Sequence, residues 1–206
     1  KMRLLLRSLA RNESTTATMA RLKSDMQGVE QLTIDEDTIA DYLNIFAKLF
    51  IIENQKPFAT AIRSSLRIKQ AEKRHFTDPS FACSLLGISD ENRLIGDLET
   101  FGFLFEALCE RDLRIYAQSF SANLLHYQDY SNDEIDAVVE LPDGSWSAFE
   151  IKLGSHQIDE AAAKLLDVNK KFKHPATTLC VICGLTNAAY RRPDGVCVVP
   201  ITALKP

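Results

Sequence analysis

Asp136, Glu150 and Lys152 are the residues of this sequence whose types and spacing could do chemistry. Between the two acids lies Pro142-Asp143-Gly144. Pro and Asp suit a type I turn, and Gly the left-handed position that closes a three-residue hairpin loop. That closure pairs Leu141 with Ser145. Counting outward, it sets Asp136 opposite Glu150 and Glu134 opposite Lys152. Period two then places Asp136, Glu150 and Lys152 on one face, and Ile135, Ala137, Val139, Phe149, Ile151 and Leu153 on an apolar face. Two carboxylates across a hairpin repel each other. A divalent cation removes that objection, because carboxylate oxygens are the hard ligands Mg²⁺ takes. A lysine two residues past the second acid projects beside such a metal, where it can stabilise charge or position a water nucleophile. A plainer reading stands beside this one: a solvated polar sheet face carrying a Glu–Lys pair. A one-residue slip in the turn would also put the acids on opposite faces.

The elements around these residues read as α-β-β-β-α-β-β. A long helix over 93–117 carries Phe101, Phe103, Leu104, Phe105 and Leu108. Strands follow over 119–127, 135–141 and 145–153, then a helix capped by Ser155 and running to 172, then strands over 176–183 and 195–201. Trp146 falls on the Glu150 face, as a core anchor or as a wall of the site.

The first half reads differently. Leucines at 4, 5, 6 and 9 predict a helix over 2–11, and Ser14 or Thr15 can cap a second through Met26. Thr33-Ile34-Asp35-Glu36 opens a third, with a buried stripe of Ile39, Tyr42, Leu43, Phe46 and Leu49/Phe50. Strands over 51–58 and 65–76 then complete a winged-helix-like order. Lys56, Arg63, Arg67, Lys69, Lys73 and Arg74 favour DNA contact by the wing. Asp35, Glu36, Asp37 and Asp41 oppose it, because the third helix would bring acids to the phosphates. Pro79 starts a short helix closed by Gly87, and a polar connection over 87–96 joins the halves. The expected domains are 1–88 and 89–206.

Composition is that of an ordinary globular chain of 206 residues. Residues 1–76 carry a net charge of +4 and residues 77–206 a net charge of −8. The acidic half lacks the electrostatic footprint of an avid DNA binder. No apolar run approaches the roughly 20 residues of a membrane span, and no signal peptide is legible, so a cytoplasmic location is expected. The five cysteines sit at apolar positions and read as reduced, buried thiols; Cys180 and Cys183 fall on opposite faces of one strand. His126, His156 and His174 have no ligand spacing.

Asp136…Glu150-Ile151-Lys152 on consecutive strands resembles the PD-(D/E)xK phosphodiesterase motif. With Gly102-Phe103-Leu104-Phe105-Glu106 upstream, the chain resembles the C-terminal domain of a large prokaryotic AAA-type ATPase family, a domain of unknown function whose fold is similar to restriction endonucleases. Thr38-Ile39-Ala40-Asp41-Tyr42-Leu43, Phe50-Ile51-Ile52 and Lys73-Arg74-His75-Phe76-Thr77-Asp78 resemble the segment that links ATPase and domain. The resemblance implies an α/β (α+β) chain: a winged-helix-like module, then a restriction-endonuclease-like mixed sheet. It adds Glu106 as a further carboxylate and metal ligand beside Asp136 and Glu150, and Gln157 as a residue completing the site. A carboxylate on the apolar face of residues 102, 103, 109 and 113 needs a partner, and a shared Mg²⁺ is one. None of the eight glycines opens a G-x-x-x-x-G-K-[ST] loop, so ATP would bind only in an N-terminal ATPase domain outside this chain. A fragment of a longer protein is expected. The functions implied are a Mg-dependent nuclease acting on DNA or, alternatively, a catalytically inactive module for partner recognition or regulation of the ATPase. Oligomeric state is not legible.

Overall fold

The leucine-rich start forms the expected helix, α1 (Met2–Arg11), and buries Leu5 and Leu9. The computed structural model describes residues 1–28, 33–59 and 68–205. They build an α/β protein with a mixed seven-stranded sheet. Two units are distinguished, residues 1–55 with 71–108 and residues 56–70 with 109–206. Among the described residues, no helix is long and apolar enough to cross a membrane.

In the first unit α1 packs on α2 (Met19–Gln27), and α2 on α3 (Glu36–Lys48). Helix α2 starts later than Ser14 or Thr15 suggested. Thr18 caps it, accepting the Arg21 N–H at 3.2 Å. Ser14 and Thr15 are committed elsewhere: the Ser14 N–H donates to Arg74 O at 2.9 Å and the Arg74 N–H to Thr15 O at 2.7 Å. Residues 51–55 and 73–77 pair antiparallel in one register: Ile52 opposes Phe76 and Gln55 opposes Lys73, with the Thr77 N–H on Ile51 O, the Glu53 N–H on His75 O, and Gln55 and Lys73 exchanging both backbone bonds. Lys56 and Pro57, at the end of the first expected strand, belong to the sheet of the second unit. The Phe76 N–H, on the other edge of its segment, donates to the Glu13 carboxylate at 3.1 and 3.2 Å. Residues 60–67, including Arg63, Arg67 and the start of the second expected strand, lie outside the described residues. Of the basic wing residues, Lys73 is buried against Glu106, and the Arg74 Nε donates to Ala17 O. Helix α4 (Ser80–Leu86) ends on Gly87 at φ 72°, the left-handed C-cap expected. The 87–96 connection holds a further helix, α5 (Glu91–Ile95), capped by Asp90. Gly96 closes it, and Asp97 accepts the Thr100 N–H at 3.1 Å, which is why the long helix α6 begins at Leu98 and runs to Ser119.

In the second unit β1 (Lys56–Pro57), β2 (Asn123–Gln128), β3 (Glu134–Glu140), β4 (Trp146–Lys152), β5 (Thr178–Cys183), β6 (Tyr190–Arg191) and β7 (Cys197–Val199) form one sheet in the order β1-β2-β3-β4-β5-β7-β6. Strands β2, β3 and β4 are antiparallel neighbours; β4, β5 and β7 are parallel. The loop behaves as its residues dictate. Gly144 sits at φ 81°, Leu141 and Ser145 pair at 2.8 Å, and the Asp143 carboxylate accepts the Ser145 N–H at 2.9 Å. Helix α7 (Ile158–Asn169) bridges the parallel strands β4 and β5 and packs on β3, β4 and β5. It buries Ile158, Ala161, Ala162, Leu165 and Val168 against Val138, Trp146, Ala148 and Val181. Trp146 is therefore a core anchor: its ring meets Phe58 in a tilted contact and Phe172 edge-on, both at 4.8 Å, and its Nε1 donates to His174 O. Beyond α7, Lys171 pairs with Asp129 and Asp133 and pins the β2–β3 turn. All five cysteines are free.

Candidate active site

The hairpin register is the one the turn predicts. Glu140–Trp146, Val139–Ser147, Val138–Ala148 and Ala137–Phe149 are opposed, and the same count leads to Asp136 and Glu150. Two local departures then shape the site. On the β2 side the register shifts between Leu125 and Tyr127, so Asp136 and Ala137 together oppose His126. Such a bulge re-aims a side chain. On the β4 side the Ile151 N–H donates to Asp136 Oδ2 at 2.8 Å, so the carboxylate is held by backbone.

The face carrying these acids is not solvated. Helix α7 covers it, so Asp136 is 6% exposed and Glu150 0%. This overturns the reading as a wet polar face. Its physical cause is the β4–α7–β5 crossover, which lays a helix over a face that a lone hairpin would leave open. Burying two carboxylates is expensive unless cations accompany them. Lys152 Nζ lies 2.9 Å from Glu150 Oε2 and 3.4 Å from Asp136 Oδ2. Lys164, on α7, sits 3.0 Å from Glu150 Oε1 and 3.5 Å from Glu134 Oε1. Both Glu150 oxygens are fully buried, and each has one lysine ammonium against it, Lys152 at Oε2 and Lys164 at Oε1. Burial, and then the charge of Asp136, push the Glu150 carboxyl up to about 7 against the pull of the two lysines. Burial alone would lower the Lys164 amine, but Glu150, Asp136 and Glu134 outweigh it and raise the amine above its ordinary value.

The other two expected residues are engaged differently. Glu106 belongs to the first unit, where Lys73 Nζ donates to its Oε1 at 2.6 Å. The partner that a carboxylate on an apolar helix face requires is thus a lysine far back in the sequence. Gln157 turns its Oε1 to the Gly154 N–H at 3.1 Å, capping the turn that leads into α7. Lys164 went unrecognised in the sequence. Its signal was a single cation beside the apolar stripe of α7, a pattern shared by many solvated helix faces.

Asp136 and Glu150 offer the hard-oxygen donors a small divalent cation takes. Among the described residues, no group of three or more His, Cys, Asp or Glu is arranged to hold a metal. Mg²⁺ is commonly bound through one or two carboxylates together with waters and substrate phosphates.

Fold and site define an α/β protein with a buried carboxylate–lysine cluster at the junction of an antiparallel hairpin and a crossover helix. The chain belongs to the family described as Domain of unknown function (DUF4143), whose model matches residues 101–204, half of the chain. A second model, Domain of unknown function (DUF8612), matches residues 1–92. No curated protein matches, and no solved structure matches.

Proposed function

We propose that this chain is the C-terminal region of an AAA-type ATP-binding protein, and that its second unit is a restriction-endonuclease-like, Mg²⁺-dependent phosphodiesterase acting on DNA. One observation carries the reading: Glu150 is fully buried beside a second acid, Asp136, and its carboxyl is lifted to about 7 even with two lysines against it. Asp136 and Glu150 would hold the ion. Bound there, Mg²⁺ supplies a Lewis acid and a water of lowered pKa. The chain's own groups have distinct tasks. The Ile151 N–H fixes Asp136. Lys164 pulls the Glu150 carboxyl back towards its ionised form. Lys152, whose side chain is 26% exposed, is the cation that can reach a phosphate or orient a water. ATP would act through a domain preceding this chain.

A second reading is an inactive module for partner recognition or regulation of the ATPase. Its support is the charge balance: two ammonium groups already oppose two carboxylates, and residues 77–206 carry a net −8. Incubation with supercoiled and single-stranded DNA in Mg²⁺ or Mn²⁺, beside Lys152→Ala, separates the two. Cleavage lost in the variant supports the phosphodiesterase. Absence of cleavage, together with no divalent-ion heat in calorimetry, leaves the inactive module.

A further inference from the structure

Helix α1 carries arginines at 3, 7 and 11 and no acid. The spacing puts the three on one face, at steps of about 6 Å along the axis. All three are exposed, while the opposite face buries Leu5 and Leu9 in the first unit's core. Among the described residues, none of the three side chains has a hydrogen bond or ion pair. This contrasts with the cations that are held: Arg21 by Asp25, Lys73 by Glu106, Lys171 by Asp129 and Arg192 by Asp159. The structure shows why the stripe stays free. Asp25 on the neighbouring helix α2 is already taken by Ser8, Asn12 and Arg21.

Arg3 and Arg7 also border an open cleft of about 370 Å³, closed on its far side by Ser84, Leu85, Leu86 and Gly87 at the end of α4. The carbonyls at that end do not need the arginines. Cys83 O accepts the Ile88 N–H, Ser84 O the Gly87 N–H, and Gly87 O the Arg93 guanidinium. The guanidinium groups therefore remain available to an external anion.

We infer that the α1 stripe is a docking surface for the phosphate backbone of a nucleic acid. Guanidinium forks pair bidentately with phosphate oxygens, and a row of three uncompensated charges suits a regularly spaced polyanion. The apolar side of α1 is packed into the unit, so it has no hydrophobic face to insert into a lipid layer. This surface differs from the third helix and wing of a winged-helix order: α3 opens with Glu36 and Asp37. The inference is independent of the metal reading of the second unit.

The test is fluorescence anisotropy of the 206-residue chain with labelled duplex and single-stranded oligonucleotides, in EDTA so that no divalent-ion chemistry contributes. The expected result is binding whose affinity falls about 40-fold more between 50 and 200 mM salt for the parent than for Arg3→Gln/Arg7→Gln/Arg11→Gln, as three phosphate contacts require. At the lower salt the Gln variant binds about tenfold more weakly or worse, and Arg3→Lys/Arg7→Lys/Arg11→Lys retains most of the affinity. Unfolding of the Gln variant should be unchanged; if it shifts, the Lys variant and the salt slope carry the test. Equal binding by parent and Gln variant overturns the inference. So does equal or tighter binding to phosphatidylserine vesicles or to polyglutamate.

Discussion

Glu13 in the first unit and Glu150 in the second are both buried, but their surroundings differ. In the first, Glu13 is 3% exposed and directed donors surround it: the Phe76 N–H reaches both oxygens, and the His75 ring lies 3.1 Å from Oε1. Glu106 likewise takes a 2.6 Å hydrogen bond from Lys73. In the second, Glu150 is more deeply buried than either and lies beside another acid, so that even with two lysine ammonium groups against it its carboxyl is lifted to about 7. A buried acid with aligned donors is part of the scaffold. A buried acid set against another acid is held in an unfavourable charged state that an added cation would relieve.

The largest effect should come from removing a satisfied acid. Glu13→Ala strips acceptors from Phe76 and His75 and is expected to cost about 3 kcal/mol or more in urea unfolding. A small effect would mean that Glu13 is no more structural than Glu150. The next is pH dependence. A carboxyl raised from 4.5 to about 7 favours the protonated folded state, so its contribution is fully present below pH 4.5 and is lost as pH rises through 7. Metal-free protein should lose roughly 3 kcal/mol across that window on this account, and Glu150→Gln should flatten the loss. Parallel profiles for parent and variant would show that Glu150 is not the titrating group. Lys164→Ala should cost about 1–2 kcal/mol at pH 8 and much less at pH 5, where Glu150 is protonated. Equal losses at both pH values would make Lys164 a packing residue. The smallest effect concerns Phe50, a bulky, exposed residue at φ 55° just past α3. Phe50→Gly should raise the stability of the first unit by about 1 kcal/mol, as read in thermal unfolding.

Much of the second unit was legible because its signals are local. Pro142-Asp143-Gly144 specifies its own loop, the loop specifies the register, and the register brings Asp136 to Glu150. The α/β class followed from the alternation of patterns. What escaped was tertiary. The period-two pattern of a hairpin does not say which face a later helix will cover, so burial of the acids and the entry of Lys164 were invisible. The register shift opposite His126 has no composition signature. In the first unit, residues 51–55 and 73–77 pair as their strand propensity suggests, but the other edge of 74–76 is taken by Thr15 and the Glu13 carboxylate, which are distant in sequence. For Glu106, the need for a partner was readable, but Lys73 as that partner was not.

The most direct test is Mn²⁺ titration by calorimetry at pH 8, comparing the parent with Asp136→Asn and Glu150→Gln, followed by DNA cleavage under the same conditions with Lys152→Ala. The account predicts one divalent-ion binding event that either carboxylate substitution abolishes, and cleavage that Lys152→Ala removes while ion binding persists. Divalent-ion binding that survives loss of both carboxylates, or no binding by the parent at all, would contradict it.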